Sequence, residues 1–280
     1  MTRVAQLGVA LLLLVGLAAL ALFVLRRPKV DAQWAPDQAR LPAIAFQEGA
    51  VTVSGVRDFV YLGSEVAERR YRDETYRRAD ARRVWFALAP FADRYRGLAH
   101  SFVTFEFADD RFVAVSVEAR REAHEAYSLT GGLLRAFEVT YVVGTEEDLL
   151  GLRALRGDQL YLYPSVASPD QTWSLFADMM RRARETQESP EFYNTLWNNC
   201  NTNLRNHVNR ATTAELPWGW GILLPGYSDA LALEQGVLDT DLDVEAARLR
   251  FRVDARIRQV MAEGRGSFSR SIREGVGTTP

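Results

Sequence analysis

The sequence predicts an α+β protein, in which an antiparallel sheet packs against helices behind an N-terminal transmembrane helix. Three observations lead to this prediction. An almost wholly apolar run occupies residues 4–25, segments that alternate apolar and polar residues recur between residues 51 and 144, and apolar residues follow helical spacing after residue 168. Period-two alternation is typical of strands and 3.6-residue spacing is typical of amphipathic helices. Strands grouped ahead of helices indicate an α+β arrangement.

The apolar run at the amino terminus is long enough to be a membrane anchor. Its 22 residues, 4–25, can cross a hydrocarbon layer of about 30 Å. The run ends at residues 26–29, Arg-Arg-Pro-Lys, with no small-residue cleavage site, so we expect an uncleaved anchor rather than a signal peptide. Three basic residues follow the run and only Arg3 precedes it, so charge alone mildly favours a cytoplasmic location for the rest of the chain.

Composition excludes several classes of function. Hydrophobic residues make up 48% of the chain and charged residues 25%, which is typical of globular proteins. The net charge of -2 and the pI near 6.0 argue against a nucleic-acid partner. One cysteine excludes an internal disulfide. We find neither clustered metal ligands nor a phosphate-loop motif, so we expect no metal and no cofactor.

The strand patterns begin at residues 51–61 and include residues 83–90. Between them, residues 65–80 are dense in charge, and we interpret them as a solvated face or loop. Residues 98–107 and 112–120 are two alternating segments, and the Ala-Asp-Asp-Arg sequence between them favours a turn. A β-hairpin is therefore predicted over residues 98–120.

The apolar faces of this hairpin fix which polar side chains share the opposite face. Val103, Phe105 and Phe107 lie on one face of the first strand, and Val113, Val115 and Val117 lie on one face of the second. Matching these faces places five polar residues together on the other side: His100, Thr104, Ser116, Glu118 and Arg120. Cross-strand neighbours are close enough for His100 and Glu118 to touch. A carboxylate beside an imidazole orients it, as in nucleophile–base–orienter sets.

Later segments continue the sheet and then become helical. Strands are predicted over residues 137–144 and 160–164. Ser168 with Gln171 forms a capping-box pattern that should open a helix running to about residue 187. Residues 244–263 are predicted as one amphipathic helix, and residues 267–280 as a frayed tail.

The only cysteine lies in an asparagine-rich stretch, residues 190–209. Thr195, Asn198 and Asn199 are N-cap types placed just before Cys200, and helical spacing follows it, so Cys200 should lie in the first turn of a helix. Backbone N–H groups and the helix dipole there favour the thiolate, which makes a nucleophile. The alternative is a buried structural cysteine.

Three histidines compete for the role of base. His207 is seven residues beyond Cys200 on the same predicted helix, about 10 Å along its axis, which is too far for a hydrogen bond. His124 lies in a charged segment and is interpreted as solvated. His100 on the hairpin is therefore the preferred partner of Cys200.

Several short segments of the chain resemble a known family. Residues 56–59, 99–102, 116–120, 161–164 and above all 190–201, Pro-Glu-Phe-Tyr-Asn-Thr to Asn-Asn-Cys-Asn, look like the Lnb N-terminal periplasmic domain family, over roughly residues 50–233. The resemblance implies a permuted papain-like thiol fold, as in NlpC-type peptidases and the lecithin–retinol acyltransferase group, with Cys200 as nucleophile and His100 as base. Glu118 as orienter comes from the hairpin register instead.

The resemblance also implies a location and a function. It favours a single-pass protein of the inner membrane with a periplasmic domain, against the weak charge argument, and it implies acyl transfer through a cysteine thioester on a lipid or lipoprotein. C-terminal membrane helices of the acyltransferase in this family have no counterpart after residue 25, so a membrane-protein partner is an open hypothesis. The alternatives are a cysteine peptidase or amidase acting on cell-wall peptides and a non-catalytic envelope scaffold.

These arguments divide the chain into four parts. Residues 1–29 are the anchor, 30–49 a polar linker, 50–235 the catalytic domain, and 236–280 a C-terminal helical extension with a tail. In the expected site, the backbone N–H of Cys200 binds the oxyanion. Four further side chains are expected to support the site: Asn198, Asn199, Ser116 and Arg120.

Overall fold

The computed structural model describes residues 13–18, 20–21, 23–91, 96–264 and 266–276. Residues 4–12, 19 and 22 of the expected membrane anchor lie outside the described residues. Residues 13–18, 20–21 and 23–25 are helical. In the described part of the chain, no helix is both long enough and apolar enough to cross a membrane.

A sheet of eight strands forms the centre of the molecule. The strands, including two that form a separate small hairpin, are β1 (Ala43–Gln47), β2 (Ala50–Arg57), β3 (Val60–Leu62), β4 (Glu65–Glu68), β5 (Tyr71–Arg77), β6 (Ala81–Pro90), β7 (Ala99–Phe107), β8 (Arg111–Arg120), β9 (Glu138–Gly144) and β10 (Tyr161–Pro164). The order in the sheet is β1-β2-β9-β8-β7-β6-β10, and β5 pairs with β2. The pairs are antiparallel except for one parallel bridge between β2 and β9.

Helices cover both faces of the sheet. They are α1 (Leu129–Leu133), α2 (Glu146–Leu155), α3 (Pro169–Glu188), α4 (Cys200–Ala211), α5 (Trp220–Leu223), α6 (Ser228–Glu234), α7 (Val244–Arg250), α8 (Asp254–Glu263) and α9 (Phe268–Ser271). Phe105 and Phe107 of β7 contact Phe176 of α3. Thr104 points the other way and hydrogen-bonds Glu146 of α2. The mixed architecture, with a sheet packed against helices, is confirmed.

The predicted hairpin is confirmed as β7 and β8. Both central residues of its turn, Asp109 and Asp110, have positive φ, of 59° and 54°. Aspartate tolerates this conformation better than most residues do. Residues 65–80, predicted as a solvated face or a loop, form β4 and β5, so the loop is wrong and the solvated face is confirmed. Most side chains of β5 are exposed or half-buried, which explains the charged sequence of a strand.

Residues 30–49, predicted as a linker, are built into the domain. They contribute β1, which pairs with β2. The Arg120 guanidinium lies 3.9 Å from the centre of the Trp34 ring and donates to the carbonyls of Gln38 and Ala39. The segment of residues 30–49 is therefore held against β8.

The C-terminal part departs from the prediction in two ways. The helix expected over residues 244–263 is broken into α7 and α8, because Phe251 and Val253 exchange backbone hydrogen bonds with Leu162 and Leu160 beside β10. The expected frayed tail contains α9, and Ile272 after it is fully buried. Apolar residues of this region belong to the same core as the sheet.

Candidate active site

Cys200 begins helix α4, as the sequence predicts. Asn199 is the N-cap: its side chain accepts from the Thr202 N–H, and the Thr202 side chain binds the Asn199 backbone N–H in return. This reciprocal capping box holds the start of the helix in place. Cys200 is 6% exposed and lines a cavity of about 310 Å³, together with His100 and Glu118.

Burial and the polar groups around Cys200 act on its thiol in opposite directions. Burial raises the pKa of the Cys200 thiol above its ordinary value. Hydrogen bonds from the Ser101 and Asn201 backbones, together with the charge of Arg153, favour the thiolate and act in the opposite direction. Burial has the larger effect, so the sequence-based expectation of a lowered pKa is wrong and the resting sulfur is a thiol.

The cavity opens where strands β7 and β8 separate. They pair from Phe107–Arg111 to Val103–Val115 and no further. Beyond that point β7 remains paired with β6 and β8 with β9, so each strand follows its outer neighbour. His100 stands on the separated part of β7. Its neighbour Ser101 faces α4, where its hydroxyl donates to Asn201.

His100 reaches Glu118 through a serine rather than directly. The His100 Nε2 lies 2.6 Å from Ser116 Oγ, and Ser116 Oγ donates to Glu118 Oε1 at 3.0 Å. The direct distance from Nε2 to Glu118 Oε1 is 3.9 Å. The three side chains therefore lie close together, as predicted, and Ser116 bridges His100 and Glu118.

This arrangement assigns the proton on the imidazole. A hydroxyl has one hydrogen, and Ser116 gives it to Glu118, so Ser116 must accept from Nε2–H. Within the described residues, the ring makes no other hydrogen bond. The neutral ring therefore carries its lone pair on Nδ1, which is left to accept a proton.

The imidazole is neutral and the carboxylate is ionised. Burial, aided by the charge of Arg153, lowers the pKa of His100 to about 3, although Glu118 acts to raise it. Burial by itself would raise the pKa of Glu118. At the low pH where this carboxyl titrates, the charges of protonated His100 and then of Arg57 outweigh burial and lower its pKa to about 2. At neutral pH the site holds a neutral imidazole beside a carboxylate.

We expect Ser116→Ala to slow any reaction that uses His100 as base by about tenfold. The substitution leaves Nε2–H without its acceptor, and losing one buried hydrogen bond costs about 1–3 kcal/mol. Ser116→Thr keeps the hydroxyl and should retain most of the rate. Rates of Cys200 acylation measured by mass spectrometry would test this. Equal rates for wild type and Ser116→Ala would show that the hydrogen bond from His100 to Ser116 does not support the base.

Gln38 completes the support of Glu118 and was missed by sequence reasoning. Its Nε2 donates to Glu118 Oε2 at 2.9 Å and to the Ala119 carbonyl, while its Oε1 accepts from the Arg121 backbone. Gln38 comes from the segment predicted as a linker, which carries no local signal of a site. The segment of residues 30–49 thus holds the Glu118 carboxylate in place.

The two predicted asparagines stabilise the loop before α4. Asn199 caps the helix and donates to the Thr195 carbonyl. Asn198 donates to the Phe192 carbonyl and accepts from Asn203. Asn199 lines the cavity and Asn198 does not. Their observed hydrogen bonds hold the backbone of Cys200 in position, and the oxyanion role of their side chains stays a prediction.

Arg120 does not line the cavity, although it was predicted to support the site. Its guanidinium lies over Trp34, and burial lowers its pKa to about 10. It contacts the segment that carries Gln38, and Gln38 in turn binds Glu118.

His207 is buried in a separate polar network. Its Nδ1 is 2.7 Å from Asp178 Oδ2, and its Nε2 is 2.6 Å from the Tyr141 hydroxyl. Tyr141 also donates to Asn203, which binds the Asn199 carbonyl. This histidine thus supports the start of α4 from behind.

Sequence reasoning also missed two tyrosines and an arginine in the cavity wall. The hydroxyls of Tyr127 and Tyr193 are 3.5 Å apart. Burial and the nearby Cys200 sulfur raise the pKa of Tyr193, so its phenol stays protonated and can donate. Arg153 lies on α2, and a Thr-Glu-Glu-Asp N-cap pattern at residues 145–148 could have located that helix.

The rest of the cavity wall combines apolar side chains with arginines and with Asp37, which pairs with Arg121. Apolar side chains from five parts of the chain line it: Phe91, Leu98, Leu129, Leu149, Leu152 and Leu223. Arg121, Arg153 and Arg156 stand among them. No group of three or more metal-ligating side chains occurs in the part of the chain described.

Comparison with known families supplies the identity of this domain. The sequence profile of the Lnb N-terminal periplasmic domain matches residues 67–226, more than half of the chain. The chain belongs to the Lnb N-terminal periplasmic domain family. No curated protein and no solved structure shows significant similarity to it.

The family match places this domain in the periplasm. It includes β5 to β10 and the helices through α5, and so contains both His100 and Cys200. Gln38 precedes the matched region, and the C-terminal helices follow it. The Lnb domain of this chain therefore receives part of its site from outside the matched segment.

Proposed function

We propose that this protein is a membrane-anchored thiol enzyme, which transfers an acyl chain through a Cys200 thioester on a lipid or lipoprotein substrate. One observation carries the proposal. A cysteine at a helix start and a neutral histidine line the same cavity, and the histidine is held through Nε2 so that Nδ1 is available. Nucleophile, base and orienter are the three parts of thiol acyl-transfer sites.

In the first half-reaction, the acyl chain passes from an ester to the enzyme. Nδ1 of His100 takes the Cys200 proton while the sulfur attacks the ester carbonyl carbon. The carbon–oxygen bond to the leaving alcohol breaks, and Nδ1 returns the proton to that alcohol. The products are a free alcohol and a Cys200 thioester.

In the second half-reaction, an amine takes the acyl chain. The amine nitrogen attacks the thioester carbonyl carbon and gives a proton to Nδ1. The carbon–sulfur bond breaks and the proton returns to the Cys200 sulfur. Water in place of the amine would give a hydrolase with the same residues.

The negative oxygen formed in both steps needs donors. The Cys200 backbone N–H is in the first turn of α4, where N–H groups have no helical partner. The Tyr193 phenol is a second donor in the same cavity. Preorganised donors of this kind contribute strongly to acyl-transfer rates.

Apolar wall residues and an arginine support a lipid substrate. The cavity combines leucine and phenylalanine side chains with Arg156, which suits an acyl chain beside an anionic headgroup. Arg121 and Arg153 also line it but pair with Asp37 and Asp158. Seven large apolar residues between 13 and 25 are more than half exposed, as expected for a segment that enters a membrane, whereas Phe23 is half-buried against Arg135. We propose an inner-membrane anchor at residues 4–25, a periplasmic permuted papain-like domain, and a membrane-protein partner for lipid supply.

Intact mass measurement tests the thioester directly. Wild type and Cys200→Ser are incubated with phospholipid or a diacyl lipopeptide. We expect an added acyl mass on wild type only, which neutral hydroxylamine removes because thioesters are cleaved by it. Absence of the adduct on wild type, or an equal adduct on Cys200→Ser, would overturn the proposal. Cleavage of cell-wall peptides without an adduct would favour the amidase alternative.

A further inference from the structure

Five exposed apolar side chains form a patch at the mouth of the cavity. We call it the mouth patch: Leu129, Leu133, Leu134, Leu196 and Trp197. Leu134 is 61% exposed and Trp197 is 65% exposed. Leu129 also lines the cavity that holds Cys200, so the patch begins where the cavity ends. Contiguous apolar surface of this kind marks an interaction site.

The two segments of the mouth patch are fastened together. Thr195 Oγ1 donates to the Leu129 carbonyl at 2.9 Å. Gly132 lies so close to Thr195 that a Cβ there would be 2.3 Å from its hydroxyl oxygen, so only glycine fits. The Asn194 side chain accepts from the Leu196 and Trp197 backbones, which turns these side chains outward. These contacts hold the apolar side chains of the mouth patch in an exposed position.

The end of the apolar N-terminal run rests beside the same patch. Arg135 donates to the Phe23 carbonyl at 3.1 Å, and its guanidinium lies 4.6 Å from the centre of the Phe23 ring. Arg26 donates to the Leu134 carbonyl. The chain thus passes from its apolar run into the domain at residues 134–135.

We infer that the mouth patch inserts into the surface of the lipid bilayer, with the cavity opening toward the membrane. The inference rests on the anchoring part of the proposed function. If residues 4–25 cross the bilayer, the basic residues 26–29 lie at the headgroups, and the adjacent patch must lie at the same depth. Tryptophan and leucine beside arginine suit that interface. An acyl chain could then enter the cavity past Leu129 without crossing water.

The test uses full-length protein in nanodiscs of phosphatidylethanolamine and phosphatidylglycerol. Single cysteines, Leu134→Cys and Trp197→Cys, are placed in a Cys200→Ser background and labelled with an environment-sensitive fluorophore. Leu249→Cys is the matched control, because Leu249 is 84% exposed and lies on α7, which contributes no residue to the cavity wall. We expect lipids carrying a nitroxide to quench the labels at 134 and 197 roughly twofold or more over the label at 249.

Equal quenching at all three positions would overturn the inference. Labels at 134 and 197 that respond to protein concentration instead of nitroxide would indicate a second copy of the chain and would also overturn it. Because this background lacks Cys200, the result is independent of catalysis. Quenching without an acyl adduct on wild type would support the docking surface and refute the proposed chemistry. An acyl adduct without quenching would support the chemistry and refute the docking surface.

A second variant keeps the test independent of labelling. Leu133→Glu with Leu134→Glu places charges on exposed positions that do not line the cavity. Acylation of Cys200 from bilayer phospholipid should fall about tenfold, while acylation by a soluble short-chain ester stays unchanged. Equal rates from the bilayer for the variant and wild type would contradict the inference.

Discussion

Replacement of His100 by glutamine is expected to slow formation of the Cys200 acyl-enzyme by about 10²–10⁴-fold. Glutamine is similar in size but has no basic nitrogen, so the thiol proton has no acceptor in the site. Because burial raises the pKa of the Cys200 thiol, little thiolate is present to react unaided. Timed mass spectrometry of the adduct gives the rate.

His124→Gln is the matched control for this prediction. His124 is exposed and does not line the cavity. Its replacement should leave the acylation rate unchanged. A His100→Gln protein that acylates at the wild-type rate would show that His100 is not the base.

Asp148→Ala is expected to lower the free energy of unfolding by about 3–5 kcal/mol. Asp148 is fully buried and accepts from Nε and Nη2 of Arg57, from the Phe59 backbone, and from the Tyr61 hydroxyl. Removal of the carboxylate leaves the Arg57 charge buried without its partner. Urea unfolding followed by circular dichroism measures the loss.

Asp170→Ala provides the exposed comparison. Asp170 pairs with Arg78 at 3.0 Å, but both side chains are more than half exposed, so the pair is screened by water and its loss should have little effect. Similar losses for the two variants would contradict the claim that the Arg57–Asp148 pair is a structural requirement. Since Arg57 also lines the cavity, Asp148→Ala should disturb the site as well.

Short sequence patterns predicted those parts of the site that lie within one continuous segment of the chain. The hairpin and the start of α4 depend on short signals, namely strand alternation, an Asp-Asp turn and an asparagine cap. Face matching on the hairpin was sufficient to group His100, Ser116 and Glu118, because side chains of one strand alternate strictly between faces.

The geometry within that group was not predictable from alternation. A continuous hairpin would bring His100 and Glu118 side by side, but β7 and β8 pair only as far as Val103 and Val115. The outer strands β6 and β9 draw them apart, and Ser116 spans the space. Pairing with outer neighbours is a tertiary effect that no single segment encodes.

Contacts between distant segments account for the other misses. Gln38 reaches Glu118 across 80 residues of sequence, and Arg273 reaches Glu146 across 127. Periodicity describes one segment at a time and cannot report such pairs. The pKa of Cys200 is a similar case, because burial by the assembled fold outweighs the effect of the helix start.

The separation of β7 and β8 has a mechanical consequence. Beyond Val103 and Val115 the two strands share no backbone pairing, so a change in their spacing there breaks no backbone hydrogen bond between them. Among the described residues, the hydrogen bond between His100 and Ser116 is a side-chain link across this gap. A substrate that pushes the strands apart would therefore lengthen the hydrogen bond between His100 and Ser116. The width of the incoming chain would then determine how well the imidazole is oriented.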